Sequence, residues 1–191
     1  MAVVRNLYDW DWEGSEGEFR RALALDPNLV GADQGYSVLL SCLRRYEEAI
    51  REILEARELD PLSLVINGLV GFIHMRARQY DRAIAECLKA IELDPNHPFS
   101  HWLLARSLDA ANQAEDALVE AQVAAKLSGC RSPYSSHLGY AFARAGQLDS
   151  AKKVLESLAE RRKTEYVSPY DFAHIYIAPT QRKMFFLMVE K

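Results

Sequence analysis

Between Tyr80 and Pro95 the chain reads YDRAIAECLKAIELDP, with apolar residues at steps of three and four. Tyr80, Ala83, Ile84, Cys87, Leu88, Ala90 and Ile91 form one stripe at the helical period, and Asp81, Arg82, Glu86, Lys89 and Glu92 occupy the opposite face. Asp94-Pro95 closes the segment, because proline restrains the residue before it and has no backbone N–H to donate. The pattern predicts an amphipathic helix that buries one side and ends at a sharp turn.

The same pattern recurs upstream as YEEAIREILEARELDP from Tyr46 to Pro61, and as FRRALALDP from Phe19 to Pro27. Pro27, Pro61 and Pro95 stand 34 residues apart, as do Ala49, Ala83, Ala117 and Ala151. Spacing this regular marks a repeat array in which each unit is one supersecondary element stacked on the next.

These residues carry a family resemblance. Each unit resembles a tetratricopeptide repeat, a 34-residue helix–turn–helix. Gly71 and the pair Leu138-Gly139 match the family's Leu-Gly position, and Tyr46 and Tyr80 match the aromatic that opens the second helix. Ala83, Ala90 and Pro95 match its small, small and proline positions, and Gly146 its turn glycine. The resemblance implies an all-α, right-handed superhelical solenoid of about five and a half hairpins, with first helices lining a concave side.

The units are expected at about 1–27 (partial), 28–61, 62–95, 96–129, 130–163 and 164–191 (divergent), forming a single domain over 1–191. Residues 1–8 are too few for a full first helix, which would leave Phe19, Ala22 and Leu23 uncovered. The second helix of the fourth unit is rich in alanine (Ala114, Ala117, Ala121, Ala124, Ala125) and ends at Ser128-Gly129, a suitable helix cap. Pro133 and Ser168-Pro169 mark later helix starts. In the last unit Phe185 stands where the register calls for alanine, and Met184 to Val189 is continuously apolar. That segment and the bare N-terminal unit predict self-association through the ends, as a homodimer. The stretch YDWDWEGSEGEFRRALALDPN resembles bacterial repeat domains attached to signalling proteins, so a detached regulatory domain of a signalling enzyme or transcription regulator is the alternative functional reading.

Composition narrows the function. The net charge of −4 provides no basic footprint for nucleic acid. The longest apolar run is far too short to span a bilayer, and the acidic N-terminal stretch has no signal-peptide pattern. Cys42, Cys87 and Cys130 show no paired spacing, which suits reduced thiols in the cytoplasm. Cys87 lies in the apolar stripe, whereas Cys130 falls in a loop.

No phosphate loop, nucleophile elbow or paired-cysteine motif is present, so neither an enzyme nor a cofactor is expected. His97 and His101 share a helix face, but no third ligand accompanies them, and both are expected as surface histidines rather than a metal site. His74, His137 and His174 are expected as packing or groove residues. Glu47, Glu48, Glu52 and Glu55 are expected on a solvated convex face, and Arg161, Arg162 and Lys163 in a solvated loop.

The groove is the better candidate. Family geometry implies that Gln34, Val38, Ser41, Phe72, Met75, Arg76, Trp102, Arg106, Asp109, Tyr140, Arg144, Tyr170 and His174 point inward. Rings and guanidinium groups dominate interface hot spots. The expectation is therefore a non-enzymatic module of the bacterial cytoplasm that binds a protein or peptide partner, acidic and partly apolar, without nucleic acid or membrane. The lysine and asparagine clamp of chaperone-tail binders is missing, since Gly68, Phe72, Trp102 and Arg106 stand at its positions.

Overall fold

The computed structural model describes residues 2–4 and 10–178, and among these every regular element is a helix. Two compact units divide the chain, Met1–Pro95 and Asn96–Lys191. The first unit holds the three-residue α1 (Ala2–Val4), then α2 (Trp12–Leu25), α3 (Val30–Cys42), α4 (Tyr46–Leu59), α5 (Leu64–Arg76) and α6 (Tyr80–Leu93). The second holds α7 (Pro98–Ala110), α8 (Ala114–Leu127), α9 (Ser132–Arg144), α10 (Leu148–Arg161) and α11 (Pro169–Tyr176). Among the described residues α3–α4, α5–α6, α7–α8 and α9–α10 form four complete hairpins that follow one another at the 34-residue period. No helix among the described residues is long and apolar enough to cross a membrane.

Each hairpin closes on a small residue. Ala49, Ala83 and Ala151 have no exposed surface and Ala117 has almost none. The facing helix comes so near that a Cβ on Gly71 would lie 2.5 Å from Cys87 Sγ and 3.0 Å from the Ala83 carbonyl oxygen. A Cβ on Gly139 would lie 2.6 Å from Ile175 Cδ1 of α11 and 3.1 Å from Val154 Cγ1 of the facing α10. Leu88, placed in the apolar stripe by its spacing, is exposed instead, because the buried face of α6 is narrow and centred on Ala83, Cys87 and Ala90.

The turns inside the hairpins share one geometry. Arg44, Arg78, Asn112 and Gly146 all have φ between 61° and 75°. Each follows a first helix, and its N–H donates to the carbonyl three residues back. The N–H of the next residue reaches five back, at 2.8 to 2.9 Å. This is the Schellman arrangement, which satisfies carbonyls that a helix end would leave bare. Trp10, one period before Arg44, also has a positive φ of 55°, so the register extends into the partial first unit.

Helix starts between hairpins rely on other devices. Asp11 caps α2 by accepting from the Gly14 N–H at 2.9 Å, and Ser63 and Ser168 cap α5 and α11. Pro98, Pro133 and Pro169 sit in the first turns of α7, α9 and α11, where no N–H is needed.

Several sequence expectations change here. Phe19 is not uncovered: it is 4% exposed, and its ring stacks on Tyr36 at 5.9 Å. Glu16 of α2 accepts from Tyr36 Oη at 2.9 Å and from Arg45 at 2.7 Å, tying α2 to the first complete hairpin. Nor is the 161–163 stretch simply solvated. Arg161 donates to Glu165 and to the Cys130 carbonyl, and Arg162 lies over the Phe172 ring. Met184 to Val189, with Phe185, lies outside the described residues.

Two stability predictions follow from these contacts. Ala83→Leu overpacks the closed α5–α6 contact and is expected to cost about 1–3 kcal/mol in urea unfolding. Gly146→Ala places a Cβ at positive φ and is expected to lose about 1 kcal/mol, read as a lower unfolding midpoint with an unchanged m-value.

Candidate functional site

The 34-residue period sets residues in columns along the first helices. In the second unit one column runs Trp102, Ser136, Tyr170 and the next Arg106, Tyr140, His174, on α7, α9 and α11. Turn geometry that repeats from hairpin to hairpin keeps both columns on one side. There they build a continuous ladder of rings. Phe99 stacks on Trp102 at 5.7 Å, and Trp102 meets Tyr134 and His137 edge-on at 6.2 and 6.3 Å. His137 stacks on Tyr140 and His174 at 5.8 and 5.6 Å. Tyr140 and His174 lie 4.7 Å apart with planes 3° from parallel, and Tyr170 adds the last ring, 5.7 Å from His174.

Charge is set into this ladder at defined points. The Arg106 guanidinium sits over the Trp102 ring at 4.7 Å. Asp109 of α7 accepts from Tyr140 Oη at 2.9 Å and from Arg144 Nε at 2.8 Å, which clamps α7 to α9. Ser132 and Ser136 of α9 donate to the Asp171 carboxylate and carbonyl at 2.7 and 2.8 Å, which fixes the start of α11. A recess of about 270 Å³ opens among Trp102, Arg106, Pro133, Ser136, Tyr170, Asp171 and His174. Tyr170, at its rim, is two-thirds exposed.

Electrostatics follow from burial. Desolvation, with help from His174 and Arg106, pushes His137 down to about 3. Burial and Arg106 lower His174 as well. Burial and the Asp109 charge push the Tyr140 hydroxyl up to about 12, and its hydrogen bond to Asp109 holds Arg144 firmly protonated. At neutral pH both imidazoles are neutral, so the positive charge facing the recess belongs to Arg106. Ser136 Oγ lies 3.3 Å from His174 Nδ1, but its proton is directed to the Asp171 carbonyl at 2.8 Å; what the recess offers a ligand is apolar and guanidinium contact.

The structure thus brings Trp102, Arg106, Tyr140, Arg144, Tyr170 and His174 together within the second unit. The other predicted residues lie in the first unit. Gln34 and Val38 are half-buried on α3. Phe72, Met75 and Arg76 are half-buried on α5, where Arg76 lies over the Phe72 ring at 5.7 Å and donates to the Ser41 carbonyl at 3.2 Å. Sequence reasoning missed Phe99, Tyr134, Ser136 and Asp171. Ser136 had a usable signal, since it stands midway in register between Trp102 and Tyr170. His101 is corrected: it is buried, and its Nδ1 donates to Glu120 at 2.7 Å. His97 caps α7 and bonds Ser100, so the two histidines form no shared surface pair.

The tetratricopeptide repeat family model matches residues 68–97, which span most of α5 and all of α6. Residues 68–97 therefore match a tetratricopeptide repeat, and the helical hairpins around them share the fold of solved repeat proteins. A comparison with curated protein sequences finds no match. Solved structures share the fold. MamA from Desulfovibrio magneticus RS-1 is 19% identical, with 85% of this chain and 92% of that one covered and a TM-score of 0.64. PilF from Pseudomonas aeruginosa is 20% identical, with 100% of this chain and 79% of PilF covered and a TM-score of 0.64. YrrB, described as a repeat protein with an unusual peptide-binding site, is 14% identical, with 100% of this chain and 89% of YrrB covered and a TM-score of 0.54. At these identities the likeness is one of fold.

His137 also makes a pH prediction. It stands in the register of Leu69 and Leu103, a core position, and neither ring nitrogen has a hydrogen-bond partner among the described residues. Its folded value is about 3 and its unfolded value is the ordinary 6.5. Between those values the unfolded chain binds a proton that the native chain does not. Stability therefore falls with falling pH, by at most about 1.4 kcal/mol per pH unit from this group. His137→Phe, which keeps the stack, is expected to flatten that slope between about pH 6 and pH 4 in urea unfolding.

Proposed function

We propose that this repeat protein is a non-enzymatic interaction module whose ring ladder on α7, α9 and α11 takes an acidic, partly apolar peptide from a partner protein. The observation that carries the reading is the Trp102–Arg106 pair beside the recess. Aromatic and arginine side chains anchor interfaces because a ring buries a large area at little entropic cost and a guanidinium grips a carboxylate with paired donors. Here the two are stacked, so an apolar side chain seated against Trp102 and Tyr170 places a neighbouring carboxylate near Arg106. With His137 and His174 neutral, Arg106 selects for negative charge. Clamping of α7 to α9 through Asp109, and of α9 to α11 through Ser132 and Ser136, holds the ladder in place before a ligand arrives, which lowers the entropic cost of binding. YrrB, with the same fold, is described as having a peptide-binding site, which agrees with this use of the scaffold.

A fluorescein-labelled peptide of alternating glutamate and leucine is the probe. Arg106→Glu is expected to weaken its binding by about tenfold or more in fluorescence anisotropy, with the helical circular dichroism unchanged. Tyr170→Ala, at an exposed rim position, is expected to weaken it less. Equal affinity in the wild type and Arg106→Glu overturns the reading.

A further inference from the structure

The first unit holds a group of three carboxylates, two of which, Glu52 and Glu55, were expected on a solvated face. Asp33 in the first turn of α3 and Glu52 and Glu55 on α4 each bring an oxygen within 4.8 Å of the other two. Glu55 is exposed and Glu52 half-buried, but Asp33 is 2% exposed, and its Oδ2 accepts no hydrogen bond among the described residues. An acidic cluster on a surface indicates nothing by itself. A buried carboxylate oxygen without a partner, facing two more carboxylates, does indicate a missing positive charge.

The repeat register supplies a comparison inside the same molecule. Asn67, His101 and Ser135 stand where Asp33 stands, one hairpin later each time, and all three are buried and hydrogen-bonded. Glu86 and Glu120 stand in the register of Glu52. In the α7–α8 hairpin the pair is His101 with Glu120, a donor facing an acceptor at 2.7 Å. In the α5–α6 hairpin the carboxylate is Glu86, held by Arg57 at 2.6 Å and by Lys89 at 2.9 Å. Lys89 is the register equivalent of Glu55. The α3–α4 hairpin therefore has three acids where its neighbour has an amide, a carboxylate and an ammonium. Arg51 Nη2 comes within 3.7 Å of Glu52, but on a largely exposed side chain. The strain appears in the acidities: burial first, then Glu52 and Glu55, push Asp33 up to about 6, and burial and Glu55 raise Glu52.

We propose that Asp33, Glu52 and Glu55 bind a hard divalent cation, with calcium the best match, which joins the start of α3 to the middle of α4. Carboxylate oxygens without nitrogen or sulfur donors suit calcium, magnesium or manganese rather than zinc or copper. Calcium tolerates irregular geometry and takes carboxylates with one or both oxygens, and the exposed Glu55 side leaves room for water to complete its shell. The ion supplies the positive partner that Lys89 brings, and takes the place of the donor that His101 brings, at the equivalent positions in other hairpins.

The test uses the whole chain after treatment with a chelator. Titration calorimetry with calcium chloride is expected to show one saturable site, and calcium is expected to raise the thermal midpoint beyond the effect of potassium chloride at equal ionic strength. Glu55→Lys, at an exposed position and copying Lys89, is expected to weaken calcium binding by roughly tenfold or more and to raise the midpoint of the metal-free protein. Asp33→Asn is expected to do both as well. The rise without metal separates relief of like charges from a merely structural role, which would give a fall. Absence of a saturable calcium site in the wild type, or an affinity that Glu55→Lys leaves unchanged, overturns the proposal.

Discussion

Close contact between the two helices of each hairpin is the constraint on which the rest of the molecule depends. At Gly71 the facing backbone and Cys87 leave no room even for a Cβ, and Ala83 is fully covered from the other side. Small residues at Ala49, Ala117 and Ala151 carry the same approach through the other hairpins. Dispersion falls off steeply with separation, so a hairpin opened by one methyl group loses contact along much of its length. The tight seam leaves larger apolar residues free to pack between hairpins, as in the cluster that joins Ala143, Leu155 and Leu158 to Val167 and Ile175.

The turns convert that seam into a register. Because Arg44, Arg78, Asn112 and Gly146 share one left-handed conformation and one hydrogen-bond pattern, each second helix starts from the same turn. Arginine and asparagine accept the left-handed region there, although glycine would do so with less strain. The backbone hydrogen bonds that the turn makes outweigh that cost. A shared register brings residues 34 apart to equivalent positions, and in the second unit it assembles rings from α7, α9 and α11 into one ladder.

Polar residues inside such a scaffold fall into two kinds. Asp109 and Asp171 are fully engaged and act as fasteners between first helices. His137 and Asp33 are not. His137 occupies a core position with both nitrogens unpartnered, and Asp33 faces two acids with one oxygen unpartnered. Each costs stability that a hydrophobic residue at the same place would not. Both lie where a change in charge, by a proton at His137 or a cation at Asp33, alters how firmly two helices hold together.

The sequence by itself determined the period, the helix boundaries and the small-residue seam, because these are local: they follow from 3.6-residue periodicity, from proline and from residue size. It also singled out six residues that share the ladder, through the family geometry that its register implied. Tertiary structure alone decided the environment of each polar side chain. His101 and Glu52 lie on helix faces that read as exposed, yet one is paired inside a hairpin and the other stands against a buried aspartate. Phe19 reads as uncovered until Tyr36 closes over it. Periodicity assigns a residue to a side of its own helix. Whether that side meets water, a partner or a like charge depends on which residue a distant part of the chain brings against it.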